Sequence, residues 1–254
     1  FSLQWGLHNV GAFGGIPGVD VSALAGWDIR RDADSVYVAV VDGGFDYTHK
    51  DLLPNIWFNP LEDINGVDDD GNGYVDDVVG WNAVRGSYLV APDTHGAVIS
   101  GIIGAVGNNG YGISGVAQRV KLVSAQIFDD ITTLGGGSLS AELAAFNYIY
   151  TLRIRGLNIR VISGSYGQSS NCVAMLRDAI QSLGSLGILF VAAAGNDGRN
   201  NDVFPQSPAN CNATNILTVA AVDRRGVLAN FSNYGKTFVD IAAPGVDIVS
   251  TGTN

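Results

Sequence analysis

The stretch Ser35–Gly44, SVYVAVVDGG, decides how the rest of the chain is read. Val36, Val38, Val40 and Val41 form a β-branched run, and Asp42 followed by two glycines turns the backbone out of a sheet. The segment therefore predicts a buried strand that ends on an acid. A carboxylate at the edge of an apolar core is costly unless donors or a charged neighbour compensate it. His95, in DTHG, opens the next long apolar run and is the natural neighbour. A buried Asp beside a His holds the imidazole in one tautomer for general-base work. Taken alone, a strand-end Asp-Gly more often caps its own turn, so the surrounding motifs must decide.

Working outward, 254 residues with regularly alternating apolar runs and turns predict one domain with a substantial core. Hydrophobic residues are 46% and charged residues 15%, so most of the chain is interior or near it. A net charge of −10 argues against nucleic acid as a partner, and the clustering of the acids points to a metal instead. The longest apolar run, Leu186–Gly195, is too short to cross a bilayer, so no membrane span and a soluble protein are expected. The chain starts at Phe1 with no charged-then-apolar leader, and whatever preceded it is expected to have been removed. Cys172 and Cys211 both lie in polar, Asn-rich surroundings, which favours a disulfide over two core thiols. Asn212-Ala213-Thr214 and Asn230-Phe231-Ser232 are glycosylation sequons, of consequence only in a eukaryotic secretory setting.

Residues 1–34 are Gly-rich and irregular and read as a surface strap, with a short helix over 21–27. An acidic, Asn- and Gly-rich loop over 55–87 is too long for a plain connection and should have a function of its own. From Thr94 the pattern predicts helix 95–106, strand 120–126, helix 140–155, strand 158–163, helix 173–183, strand 187–194 and strand 216–222. Near-continuously apolar strands alternating with helices specify a doubly wound α/β fold, a mostly parallel sheet with helices on both faces. Ser140 and Gly156 suit the two caps of the second of those helices. The helix at His95, HGAVISGIIGAVG, is so small-sided that another backbone must approach it closely. In such sheets the site lies where strands end and helices begin, which is where Asp42, His95, 164–167 and 194–196 fall.

In order along the chain, VVDGG, DTHG, SYG, AAAGNDG and APG together resemble the subtilisin-like serine proteases, the subtilases. The resemblance covers essentially the whole chain and implies a serine endopeptidase with the order acid, histidine, nucleophile. It assigns Asp42 as triad acid, His95 as general base and Asn196 as the side-chain oxyanion donor, whose removal typically costs ~100- to 1,000-fold in rate. It assigns Gly135, Gly136 and Gly137, with Ser165, Tyr166 and Gly167, as the two extended segments between which a peptide substrate threads by strand addition. Ala193 and Gly195 would floor the pocket for the residue before the cleaved bond.

Three departures from the family pattern stand out. Gly43 replaces the family's Ser or Thr after the acid, and HGAVISG replaces HGTHVAG, with Ala97 and Val98 in place of Thr and a second His. The GTSMA-type segment that bears the nucleophile is not found before Asn254, and Ser165 lacks the G-x-S-x-G elbow that would make it a substitute. The domain is thus expected to be a single subtilase catalytic domain over 1–254, incomplete at its C-terminal end, with a second segment carrying the catalytic Ser as partner.

Calcium is the expected cofactor, in a structural role. In DDDGNGYVDD (68–77), Asp68, Asp70, Asn72 and Asp76 stand at positions one, three, five and nine of a D-x-D-x-N-G-x-x-D loop, with the Tyr74 carbonyl available. Val79 stands where such a loop has its Glu, so a further acid such as Asp77 would complete the shell. The family resemblance implies a second calcium site at Asp51 and Asn109, with carbonyls from Gly107, Tyr111 and Ile113.

The leading expectation is a secreted or lumenal, calcium-stabilised serine endopeptidase acting on peptide or protein substrates, with a propeptide as a candidate partner. The alternative is a subtilase-fold pseudoprotease that binds peptide without cleaving it. A dinucleotide-binding domain is set aside because no G-x-G-x-x-G follows a strand.

Overall fold

The computed structural model describes residues 3–129 and 137–253. Among these residues seven strands form one parallel sheet in the order β2-β3-β1-β4-β5-β6-β7. They are β1 (Asp32–Asp42), β2 (Gly80–Asn82), β3 (Arg119–Gln126), β4 (Ile159–Gly164), β5 (Leu189–Ala193), β6 (Ile216–Val222) and β7 (Ile241–Pro244). The helices are α1 (Ala23–Ile29), α2 (Thr94–Gly104), α3 (Leu139–Ile154) and α4 (Ala174–Ser185). The order places β1 between β3 and β4, so the winding reverses beside it. That reversal is where ligands bind in open parallel sheets.

β1 explains why both faces are covered. Ala39 and Val41 enter one core with α3 and α4, through Ala145, Phe146, Ile149, Leu176 and Ile180, while Val38 and Val40 enter a second core with Ala105, Phe45, Leu52 and Ile56. Side chains alternate across a strand, so a continuous apolar run is stable only between two covering layers. The expected doubly wound α/β architecture is what forms.

The small side chains of α2 have the anticipated effect. A Cβ on Gly96 would lie 1.6 Å from the Gly44 carbonyl oxygen, so only glycine lets the turn after β1 rest on the first turn of the helix. Along the same helix, Thr251 Oγ1 donates to the Ala97 carbonyl and Ser250 Oγ to that of Val98, both at 2.6 Å, and Thr94 and Thr253 hydroxyls meet at 3.2 Å. Residues 250–253 thus lie against the helix that carries His95. The strap is tied down at several points: Gln4 exchanges two hydrogen bonds with Ser114, Trp5 Nε1 donates to Val246 O, and Trp27 Nε1 donates to Val116 O.

Three details differ from expectation. The cap of α3 is Ser138, whose Oγ accepts from Ala141 N, and not Ser140; Gly156, at φ 107, does follow the helix as expected. The first helix runs over Ala23–Ile29 and not 21–27. β2 and β7, of three and four residues, carry too little pattern to be read from sequence.

Candidate active site

Asp42 is the last residue of β1 and His95 the second of α2, so the contact of Gly44 with Gly96 sets their separation. His95 Nδ1 lies 2.8 Å from Asp42 Oδ1 and 2.9 Å from Oδ2, and Asp42 Oδ1 also accepts from Gly43 N at 2.8 Å. The Asp42 side chain is 1% exposed and that of His95 41%. A buried anion on one ring nitrogen keeps the proton there and leaves Nε2 as the basic atom. The bond to Asp42 is the main reason the His95 pKa is raised; burial opposes it, and the charges of Asp42 and Asp93 add to it. Among the described residues no serine or cysteine side chain hydrogen-bonds this ring.

Sheet register brings the other expected residues to the same edge. Val41 pairs with Gly164, and Gly164 with Ala192, so Asp42, Ser165 and Ala193 are level at the carboxyl ends of adjacent strands. Beyond them Asn196 is exposed. Ser165, Tyr166 and Gly167 leave the sheet as an extended segment, pinned at Gln168 by paired backbone bonds to Ser207, each 2.9 Å. The Cys172–Cys211 disulfide, with α-carbons 5.1 Å apart, closes the same region from outside. Gly137 packs on Ile127 after β3, whereas Gly135 and Gly136 lie outside the described residues.

Two buried asparagines that sequence reasoning did not single out hold the Asn196 loop. Asn233 Oδ1 accepts from Asp197 N and Arg199 N, its backbone N donates to Gly195 O, and its Nδ2 donates to Asn201 Oδ1. Asn201 in turn donates to Ala194 O at 2.8 Å. Gly195 sits at φ 111, where a Cβ would meet Asn233 Nδ2 at 2.4 Å. In sequence, Asn233 stands just past a sequon and nothing marks it.

Glu142, on α3, was also not anticipated. It is 3% exposed, faces Tyr166 of the extended segment, and burial lifts its pKa to about 7 against the lowering effect of the tyrosine hydroxyl.

The acidic loop gathers a group that its spacing anticipates in part. The carboxylates gathered within 4.8 Å of one another are those of Glu62, Asp70 and Asp77. Of the expected ligands, Asp70 belongs to this group and Asn72 adjoins it, donating to both Asp70 and Asp77. Asp68 and Asp76 instead bind the loop's own backbone, at Asn72 N and Gly73 N and at Asn65 N and Gly66 N. Short acidic side chains readily close such local turns. The Tyr74 ring packs edge-on to Trp81 and Tyr148. Asp77 is fully buried and accepts from Tyr148, Asn59 and Asn72, and burial lifts its pKa to about 6 despite those donors. At the second expected site, Asp51 is also fully buried, with Asn109 Nδ2 at 2.6 Å and Ile113 N at 2.8 Å.

Comparison with known proteins agrees with this geometry. The sequence profile of the Subtilase family matches residues 33–254. The chain is 34% identical over 227 residues to a thermophilic serine proteinase of Bacillus sp. (strain AK1), covering 89% of this chain and 48% of that one. It is 35% identical to subtilisin-like protease 1 of Plasmodium vivax, covering 98% of this chain and 40% of that one. It therefore spans less than half the length of these curated relatives. Among solved structures, a protease of Pseudoalteromonas arctica PAMC 21717 superposes with a TM-score of 0.67 at 28% identity, over 96% of this chain and 70% of that one. With the profile spanning β1 to the last residue, and the Asp42–His95 pair at the carboxyl edge of a parallel sheet, the chain belongs to the subtilase family.

Proposed function

We propose that this domain is the larger part of a calcium-stabilised serine endopeptidase whose nucleophile is a serine outside residues 1–254. The observation that carries the reading is the bond from His95 Nδ1 to the buried Asp42 carboxylate, which leaves the other ring nitrogen free to take a hydroxyl proton. The serine oxygen would attack the scissile carbonyl, its proton would pass to His95 Nε2 and then to the leaving amine, and the Asn196 amide would stabilise the oxyanion. The substrate would pair as an added strand with 165–167 on one side and 135–137 on the other, with Ala193 and Gly195 beneath the residue before the cleaved bond. In support, residues 165–167 make no backbone–backbone hydrogen bond among the described residues.

The serine-bearing segment would enter beside α2, where residues 250–253 already lie, so that 1–254 form one incomplete domain with 1–34 as its strap. Calcium suits the all-oxygen set of Glu62, Asp70 and Asp77 and the caged Asp51 with Asn109, where it would fix loops and take no part in the chemistry. A disulfide in a domain of this kind, together with relatives described as an extracellular protease of Xanthomonas campestris and a cell wall-associated protease of Bacillus subtilis, supports a secreted or lumenal location. Peptide or protein substrates, and a propeptide, are the partners proposed.

The test is labelling with a fluorophosphonate, which reacts only with an activated serine, on the protein that includes residues beyond 254. Labelling and peptide hydrolysis that both vanish in His95→Ala support the reading. Peptide binding without labelling would establish the pseudoprotease instead.

A further inference from the structure

We propose that Asp93 is a positioning residue for His95, and that Gly43 is what admits it: the Asp93 carboxylate stands where a Gly43 side chain would, adding a second anion beside the histidine. A Cβ on Gly43 would lie 2.7 Å from Asp93 Cγ and 2.9 and 3.1 Å from its two carboxylate oxygens. Asp93 is held there as the cap of α2, with extended backbone and Oδ1 accepting from Gly96 N at 2.8 Å. One atom each of Asp42, Asp93 and His95 lies within 4.8 Å of the others.

Asp42 occupies Nδ1 with both of its oxygens, so Asp93 acts on the ring through its charge. Among the described residues, the charged groups that act on His95 are Asp42 from β1 and Asp93 from the turn entering α2, while residues 250–253, packed on α2, carry no charge. The absence of a hydroxyl after the triad acid is therefore not a vacant position: a carboxylate fills it from across the site. Two anions near the ring stabilise the imidazolium that forms as the base takes its proton, and Asp93 reinforces the raised proton affinity that Asp42 sets.

The catalytic consequence rests on the serine-protease reading; the electrostatic one does not, and the experiment separates them. The ring protons of the three histidines, His8, His49 and His95, can be followed by NMR across pH, with His95 assigned through His95→Gln. Asp93→Asn keeps a capping oxygen for Gly96 N and removes only the charge, so it should lower the His95 midpoint by about half to one pH unit, roughly three- to tenfold in proton affinity. Gly43→Ala, which retains the charge but displaces the carboxylate, should lower it in the same direction and serves if the first variant does not fold. In the protein with its nucleophile, the acid limb of kcat/KM should move with the midpoint. An unmoved midpoint in the folded variants overturns the proposal whether or not the protein cleaves peptides. A lowered midpoint in a protein without hydrolysis supports the pairing and defeats the protease reading.

Discussion

Glu142 stands against Tyr166 beneath the segment after β4, its carboxylate close enough to the tyrosine hydroxyl to feel it, though among the described residues neither Glu142 Oε2 nor that hydroxyl meets a partner at full hydrogen-bond geometry. Each nevertheless shifts the other's proton affinity: burial and then the carboxylate hold the Tyr166 pKa well above its usual value. An acid whose pKa is raised by burial makes stability depend on pH.

The Glu142 pKa is raised from 4.5 to about 7, so the folded protein holds this proton more tightly than the unfolded chain. Its contribution is fully present below about pH 4.5 and is lost as pH rises through about 7. Glu142→Gln should therefore be close to neutral at pH 4.5 and should stabilise at pH 8 by an amount on the order of 3 kcal/mol at most. Urea midpoints of both proteins at the two pH values check this; the same difference at both would dismiss it.

Removing Asn233 should act on the Asn196 loop. Asn233→Ala strands two backbone N–H groups, those of Asp197 and Arg199, and should cost about 1–3 kcal/mol of stability. If the Asn196 amide serves the transition state, kcat should fall about tenfold or more with KM little changed. A variant whose KM alone rises would show that the loop matters for substrate binding only.

Chelation should lower the melting temperature if the two oxygen sites hold calcium. At calcium one hundred times the dissociation constant the ion contributes about 2.7 kcal/mol per site. Asp70→Ala should remove the sensitivity due to the 62–77 loop and Asp51→Ala that due to the other site, as read by calorimetry with and without chelator. An unchanged melting curve in excess chelator would count against calcium at both.

Reducing the Cys172–Cys211 bond, which spans a sequence separation of 39, should destabilise the domain. For a loop of this size the chain-entropy model expects about 4 kcal/mol. Paired Cys172→Ser and Cys211→Ser substitutions, compared by denaturant midpoint, should reproduce the effect of reductant. A double variant as stable as the parent would mean that the Gln168–Ser207 backbone pairing alone holds this wall.

What could be read without the structure follows from short-range rules. The β-branched run ending at Asp42 and the small-sided helix from His95 imply strand, helix and a carboxyl-edge site, because periodicity and backbone sterics act within a few residues. Asp42, His95 and the two cysteines lie in such local patterns, and each pair meets in the fold.

Tertiary contacts decided the rest. Whether Ser138 or Ser140 caps α3 depends on how the chain enters the helix, and β2 and β7 exist because longer neighbours template them. Glu62 joins Asp70 and Asp77 although nothing in the sequence announces it, while Asp68 and Asp76 accept from the backbone of their own loop. Glu142 looks like one more polar position on a helix until α3 packs on the sheet and buries it beside Tyr166. The physical reason is the same in each case. Hydrogen bonding and desolvation depend on distances between segments remote in sequence, and those are set only when the two cores close on β1 and bring Asp93 into the space that Gly43 leaves.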